Sequence, residues 1–431
     1  MSHRIVIVGG GAGGLELASR LGRSLGKRGK AAITLVDSHL THVWKPLLHE
    51  VAAGSLNVPA NELNYVAQAK WNHFQFRLGR LSGIDRENKT IRLSFDAEGG
   101  GAPAVDSSLD YDTLVIAIGS VANDFNTPGA AEHCIFLDTP EQASSFQRQL
   151  LGHYFRAQSS AVMDTGLGIA IVGAGATGVE LAAELANAVR ELPAYGLSGI
   201  QPENVRITVL DGATRVLPGL GERISSEVHK TLESLGIAVI TSARVTEVTA
   251  EGIRTADGKL VEATLKVWAA GIKAPSFLRD LDGLETNRIN QLVVHPSLQT
   301  TLDENIFALG DCAACQLGDG SERTVPPRAQ AAHQQAALLA RSIPARIKGL
   351  PLPEYRYRDY GSLVSLSRFS TIGNLMGSLM GSVGVEGYLA RLFYVSLYRM
   401  HQITLGGVLR TALLIVSDRI RRQTSPRLKL H

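Results

Sequence analysis

The chain has 431 residues, 45% of them hydrophobic, and its 43 basic and 40 acidic side chains give a formal net charge of +3. That balance excludes a disordered chain and describes a globular protein of two or three domains, at roughly 100–200 residues each. Three cysteines (Cys134, Cys312, Cys315) are too few for a disulfide framework, so a reducing compartment is expected.

The charge is unevenly placed. From Glu386 onward there are eight basic and two acidic residues, a net of +6, while the preceding chain carries 35 basic and 38 acidic residues. A basic tail on a mildly acidic body fits an anionic surface, either membrane or nucleic acid. The 44 glycines are about 10% of the chain against an average near 7%, an excess suited to tight turns around ligands.

The first element is a buried-strand pattern, Ile5-Val6-Ile7-Val8, which begins so early that no signal peptide is expected. It runs into Gly9-Gly10-Gly11-Ala12-Gly13-Gly14 and then a helical Leu15-Glu16-Leu17-Ala18. Gly9, Gly11 and Gly14 hold the three places of a G-x-G-x-x-G turn. The first glycine permits the turn, the second lets backbone approach a pyrophosphate, and the third packs helix on strand. The helix N-terminus offers free N–H groups to the phosphates. A second strand pattern, Ala32 to Val36, ends in Asp37, whose carboxylate can accept the ribose hydroxyls of an adenosine.

The grammar repeats further along. Ile169-Ala170-Ile171-Val172 leads into Gly173, Gly175 and Gly178, then a helical Glu180 to Leu185, then a strand Arg206–Leu210 ending in Asp211. One such loop is weak support, because glycine-rich turns are common; two, each with strand, helix and carboxylate, specify two dinucleotide sites. Asp211 repels the 2′-phosphate of NADPH and so favours NADH, although Arg215 is close enough to soften the preference. A turn-forming Asp before Gly212 is equally good local chemistry. The polar stretch Ala157 to Gly168, without periodicity, reads as the linker leading to the second fingerprint.

Two further segments say which fingerprint holds which cofactor. The strand-like Thr300 to Leu309, ending in Gly310-Asp311, resembles the second FAD motif of the two-dinucleotide flavoproteins, and Tyr111 to Gly119 resembles their strand just before the chain leaves the FAD domain. The resemblance implies an α/β protein with two Rossmann-like domains, the NADH domain inserted in the FAD domain. The expected boundaries are 1–120 and 291–350 for the two FAD parts, 121–290 for NADH, and 351–431 for a C-terminal region. It further implies that the Asp311 carboxylate accepts a hydrogen bond from the ribitol of FAD.

Relatives of that kind often reduce disulfides through a cysteine pair facing the flavin, but the stretch after Asp37, from His39 to Glu50, has no cysteine. Cys312 and Cys315 follow the ribitol acid directly and face the wrong end of the flavin, so they read as small buried residues. No His or Cys spacing suits a metal. Val325 to Leu339 reads as a helix begun by proline, with Gln330 and Gln334 on one face. From spacing alone, a carbonyl-binding pair and two solvent-facing glutamines on a packed helix are equally good readings.

The pattern Ala329-Gln330-Ala331-Ala332-His333-Gln334 resembles the quinone-site signature of the type II NADH dehydrogenases, the single-chain, non-pumping NADH:quinone oxidoreductases of bacterial respiratory chains. Trp44 to Ala52, Val267 to Pro275 (with Ala270 and Gly271), and Leu397 to Gln402 resemble the same family, and the likeness runs from Arg4 to His431. It implies hydride transfer from NADH to FAD and electron transfer onward to a quinone, ubiquinone first among the candidates. Gln330 and Gln334 would line the quinone pocket, Lys45 and Pro46 would lie against the isoalloxazine, with Ala329 also at the flavin, and Glu180 would lie near nicotinamide and flavin. A carboxylate that merely stabilises a helix N-terminus is an equally good account of Glu180.

The tail reads as two amphipathic helices. Leu389, Phe393, Leu397, Met400 and Ile403 oppose Arg391, Arg399 and Gln402; then Leu405, Val408, Leu409, Ala412, Ile415 and Val416 oppose Arg410, Ser417, Asp418 and Arg421. The longest apolar stretch, Ile403 to Val416, would reach about 20 Å as a helix against roughly 30 Å of hydrocarbon, so an anchor lying on the cytoplasmic face of the inner membrane is expected rather than a span. Arginines alternating with an apolar face suit lipid better than nucleic acid. A homodimer is left open. The rival functions are a soluble NADH-dependent reductase of a protein or of oxygen, and an NADH-sensing flavoprotein.

Overall fold

In the computed structural model, residues 2–95, 107–159, 166–318, 320–366, 370–375, 383–386, 399–424 and 428–429 are described. Two sheets dominate, and each has a parallel core of five strands with its fingerprint strand in the middle. In the first, His3–Val8 lies between Ala31–Asp37 and Thr113–Ile116, with Gln75–Leu78 beyond the former and Asp303–Ala308 beyond the latter. In the second, Leu167–Val172 lies between Val205–Leu210 and Leu265–Trp268, with Ala238–Ile240 and Ile135–Phe136 at the edges. Both central strands are buried on both faces, Ile5, Ile7, Ile169 and Ile171 completely. That explains why they read as unbroken apolar runs rather than alternating ones: both faces of each sheet are covered, one by helices and the other by a three-stranded antiparallel sheet, Arg80–Asp85, Thr90–Ser94 and Ser107–Asp110 in the first unit and Val245–Val248, Gly252–Thr255 and Leu260–Glu262 in the second.

The chain crosses between the two units twice, and the crossings pair with each other. Val121–Ala122 runs antiparallel to Ile272–Lys273. After this return, Leu292–Val294, Gln299–Thr300, Asp303–Ala308 and Ala313–Cys315 complete the first sheet at eight strands. The packing does not follow chain order alone. Leu48, Val51, Ala52 and Ala53 belong to the N-terminal stretch, yet they pack into the second core with Phe146, Leu150 and Leu181. The short helix Leu48–Ala52 therefore wedges one unit against the other.

Some expectations change. The polar linker begins later, because the helix Pro140–Ser159 runs through Ala157 on its amphipathic periodicity, burying Phe146, Leu150, Tyr154 and Ala157. Residues 160–165 lie outside the described residues, and Gly168 is already in a strand. The glutamine helix spans Ala329–Ile347, capped by Arg328 in an extended conformation, so Pro326 and Pro327 precede it rather than begin it.

The C-terminal region is not helical throughout. Residues 351–360 cross the surface without regular structure, and a three-stranded antiparallel sheet follows, Gly361–Leu366, Ser370–Leu375 and Val383–Glu386. The first tail helix was expected over 388–403; residues 387–398 lie outside the described residues, and 399–406 are helical. The second, expected over 405–420, is Val408–Thr424. The Gly406-Gly407 pair separates them, which puts Leu405 in the first helix, where it is buried. No helix of the described residues is long and apolar enough to cross a membrane.

Candidate active site between the two dinucleotide folds

The two glycine loops have the same geometry. Gly9 and Gly173 take φ values of +102° and +110°, which disfavour any side chain. A Cβ on Gly9 would meet the backbone of Ala117 and Ile118, and one on Gly173 the backbone of Ala269 and Ala270. Gly14 and Gly178 are the helix-packing glycines: a Cβ on either would land on the carbonyl oxygen of Gly9 or Gly173. At Gly11 and Gly175 an added Cβ would meet nothing within 4 Å. Space is thus kept open at the glycine facing the end of the strand, as a pyrophosphate requires.

The carboxylates also match. Asp37 accepts from the Gly10 N–H at 2.6 Å and the His39 N–H at 2.9 Å. Asp211 accepts from the Ala174 N–H at 2.6 Å and the Ala213 N–H at 2.7 Å. One oxygen of Asp211 thus ties its own turn and the other ties the glycine loop. Gly119 and Gly271 stand two residues beyond the backbone that each first glycine abuts, and both have positive φ.

Asp311 follows the strand Asp303–Ala308, in the short helical turn Gly310–Cys312. Its carboxylate accepts from Ser120 Oγ at 2.8 Å, its carbonyl accepts from Gln291 Nε2 at 2.8 Å, and burial raises its pKa above the ordinary carboxylate value. Lys45 reaches the same place, its Nζ donating to the Ser120 carbonyl at 2.8 Å and to Asp138 Oδ1 at 3.0 Å. Gly119, Ser120, Asp311 and Lys45 thus converge although the chain separates them by up to 266 residues. Cys312 and Cys315 are buried, their sulfurs turned to backbone carbonyls, and burial pushes both thiols up to about 11.

Glu180 lies buried in the first turns of the helix Ala176–Glu191, with Oε2 3.6 Å from His49 Nδ1. His49 comes from the wedge helix, and its burial lowers its pKa to about 4. The internal repeat places Glu16 at the equivalent position of the first helix. It is fully buried, accepting from Arg20 Nε at 2.8 Å and paired with His333 Nδ1 at 2.6 Å. Both fingerprint helices therefore carry a buried acid facing a histidine from another element.

Gln330 and Gln334 do share a face, half-buried, but their amides are engaged by the crossing segment 351–360. Gln334 donates to the Arg358 carbonyl at 2.8 Å and accepts from the Arg358 N–H at 3.0 Å. Gln330 accepts from the Tyr360 N–H at 3.2 Å and donates to Asp359 Oδ1 at 3.3 Å. Neither a packed helix with solvent-facing glutamines nor an open carbonyl pair describes them; they fasten a strap over the helix.

Among known proteins, residues 3–336 match the family model for the pyridine nucleotide-disulphide oxidoreductases. The type II NADH:quinone oxidoreductase of Haemophilus influenzae is 44% identical, the alignment covering 99% of each chain. This chain belongs to the type II NADH:quinone oxidoreductase family. The Mycobacterium tuberculosis type II NADH:quinone oxidoreductase Ndh is 30% identical over 93% of this chain and 84% of its own. The fold is that of NDH2 from Plasmodium falciparum in complex with NADH, with a TM-score of 0.84, 20% identity and full coverage of both chains.

As a member of this family the chain is an FAD-dependent flavoenzyme that uses NADH. Among the described residues no group of three or more His, Cys, Asp or Glu side chains is arranged to hold a metal. Sequence reasoning missed Ser120, Asp138, His49 and Glu16. The last was legible in the repeat, because Glu16 and Glu180 stand at the same distance from their first glycines. The others carry no local pattern.

Proposed function

We propose that this chain oxidises NADH and reduces a quinone drawn from the membrane, with the two half-reactions on different elements of one cleft. FAD bound along Gly9, Gly11, Gly14, Asp37, Gly119, Asp311 and Ala329 supplies the redox chemistry, taking hydride from NADH and passing two electrons on. NADH is held by Gly173, Gly175, Gly178, Asp211, Ala270 and Gly271. Lys45 and Pro46 stand beside the ring, and Glu180, supported by His49, lies between nicotinamide and flavin.

The quinone headgroup takes the face of the helix Ala329–Ile347 that carries Gln330 and Gln334. A neutral amide offers hydrogen bonds to a carbonyl without placing a charge beside an apolar ligand. The strap at Arg358–Tyr360 now holds those amides, so the headgroup either displaces these bonds or shares them.

The observation that carries the membrane part is the exposure of the tail. Val408, Leu409, Leu413 and Val416 are 58–78% exposed, while the polar Thr411, on the opposite side, is buried. In the preceding helix Met400 and Ile403 are exposed, whereas His401 and Gln402 are buried. Arg410 stacks over Trp71, its Cζ 3.7 Å from the ring centroid, and so ties the helix to the FAD domain. An apolar row turned outward, with Thr411 packed inward and Arg410 tying the helix to Trp71, supports a surface helix that lays its exposed apolar side in the cytoplasmic leaflet. A soluble reductase has no use for it.

The test is anaerobic reduction of the holoenzyme with NADH, then addition of a short-chain ubiquinone while flavin absorbance is followed. A Gln330→Ala/Gln334→Ala variant should be reduced by NADH at the parent rate and reoxidised about tenfold more slowly, the loss expected for two weakened hydrogen bonds. Unchanged reoxidation moves the quinone elsewhere; reoxidation by oxygen alone rejects the function.

A further inference from the structure

Asp138 lies outside both glycine fingerprints, in the turn before the helix Pro140–Ser159. Both of its carboxylate oxygens accept from the Ala122 N–H, at 3.0 and 2.8 Å, and so hold the strand by which the chain leaves the FAD domain. Its Oδ1 also accepts from Lys45 Nζ at 3.0 Å. Asp138 is mostly buried, with a side-chain exposure of 17%, against 45% for Lys45. Its own place is fixed by Gln142, whose Oε1 accepts from the Asp138 N–H at 2.9 Å.

The chain of contacts runs without a gap across the domain boundary: Asp311 to Ser120 Oγ, the Ser120 carbonyl to Lys45 Nζ, Lys45 Nζ to Asp138, Asp138 to the Ala122 N–H. An ammonium has three N–H donors; among the described residues two are engaged, by Ser120 and Asp138, and the third is available to a ligand beside Asp311. We propose that Asp138 is a positioning residue that fixes the Lys45 ammonium at the flavin and offsets its charge, thereby setting how readily the flavin accepts electrons. The proposal rests on the reading that Lys45 stands beside the ring.

The physical basis is simple. A positive charge near a flavin favours its anionic reduced form, and a carboxylate held against that charge weakens the effect. In Asp138→Asn the amide oxygen still accepts from Ala122 and the Ser120 carbonyl still holds Lys45, but the offsetting charge is gone. Because Lys45 is half-exposed, solvent screening limits the effect. The reduced-to-oxidised ratio at a fixed potential should rise by up to about fivefold, or about 20 mV for a two-electron couple.

The experiment is an anaerobic redox titration of the FAD-loaded enzyme against a reference dye, for the parent, Asp138→Asn, Asp138→Glu, Lys45→Met and the Lys45→Met/Asp138→Asn pair. Asp138→Asn should move the flavin potential upward and Lys45→Met downward. The double variant should lie between Lys45→Met and Asp138→Asn, because the opposite charges of the two side chains act on the flavin additively. Asp138→Glu, which keeps the charge, should stay near the parent.

A downward or absent shift in Asp138→Asn overturns the proposal while leaving Lys45 at the flavin. A shift in Asp138→Glu as large as that in Asp138→Asn also overturns it, since the acid would then act only by holding the crossing strand. No shift in Lys45→Met removes the placement of Lys45 as well, and the proposal with it.

Discussion

The second glycine loop allows binding to be separated from folding by two substitutions three residues apart. Gly178→Ala drives its new methyl into the Gly173 carbonyl oxygen, a backbone atom that can move only if strand and helix separate. Overpacking of this kind costs about 1–3 kcal/mol. Gly175 has a φ of −73° and ψ of −175°, an ordinary extended conformation, and its Cβ would meet nothing within 4 Å. Alanine there should cost no stability and even add about 0.4–1 kcal/mol by restricting the unfolded chain. Its methyl, however, occupies the space through which backbone approaches the pyrophosphate.

Thermal melts of the FAD-loaded enzyme, together with steady-state kinetics against NADH, measure both effects. For a unit of this size each kcal/mol moves the midpoint by about 2–4 °C. Gly178→Ala should therefore melt about 2–12 °C earlier. Gly175→Ala should melt with the parent or slightly above it while its KM for NADH rises about tenfold or more. Equal destabilisation by the two, or an unchanged KM in Gly175→Ala, would refute the assignment of this loop to NADH.

Asp211→Ala removes the charge that repels a 2′-phosphate and also frees the Ala174 and Ala213 N–H groups, so NADH turnover should fall and the preference for NADH over NADPH should narrow by about tenfold; an unchanged ratio rejects that role. Burial lowers the His42 pKa to about 4. The folded state thus resists protonation that the unfolded state accepts, so this contribution to stability is intact above about pH 6.5 and is lost as pH falls toward 4. Melts of His42→Leu should show a shallower decline over that window; an identical slope would exonerate His42. For the tail, Leu413→Asp/Val416→Asp places two carboxylates on the outward face without touching the core. Sedimentation with vesicles containing anionic lipid should fall sharply while the melting midpoint holds, and undiminished pelleting would show that another surface carries the membrane contact.

The sequence by itself determined what depends on neighbours along the chain. The two glycine loops, their closing acids Asp37 and Asp211, and the unbroken apolar strands are local signals, because turn geometry, phosphate approach and burial on both faces each constrain consecutive residues. Which loop takes which cofactor was read instead from the resemblance of Tyr111–Gly119 and Thr300–Asp311 to the two-dinucleotide flavoproteins. Tail amphipathicity was readable too, but not which side would face outward. Periodicity names two faces, and only packing selects one: Thr411 and Gln402 went inward with Leu405, while Leu409 and Leu413 went out.

What only the tertiary structure decided is every contact made across the crossing strands. Lys45 meets Asp138, His49 meets Glu180, and Gln334 meets the backbone of Arg358. The partners are 93, 131 and 24 residues apart in the chain. No local pattern marks such partners, because a carboxylate or an amide is chosen for them by a distance and a buried environment that do not exist until the two sheets and the strap have come together.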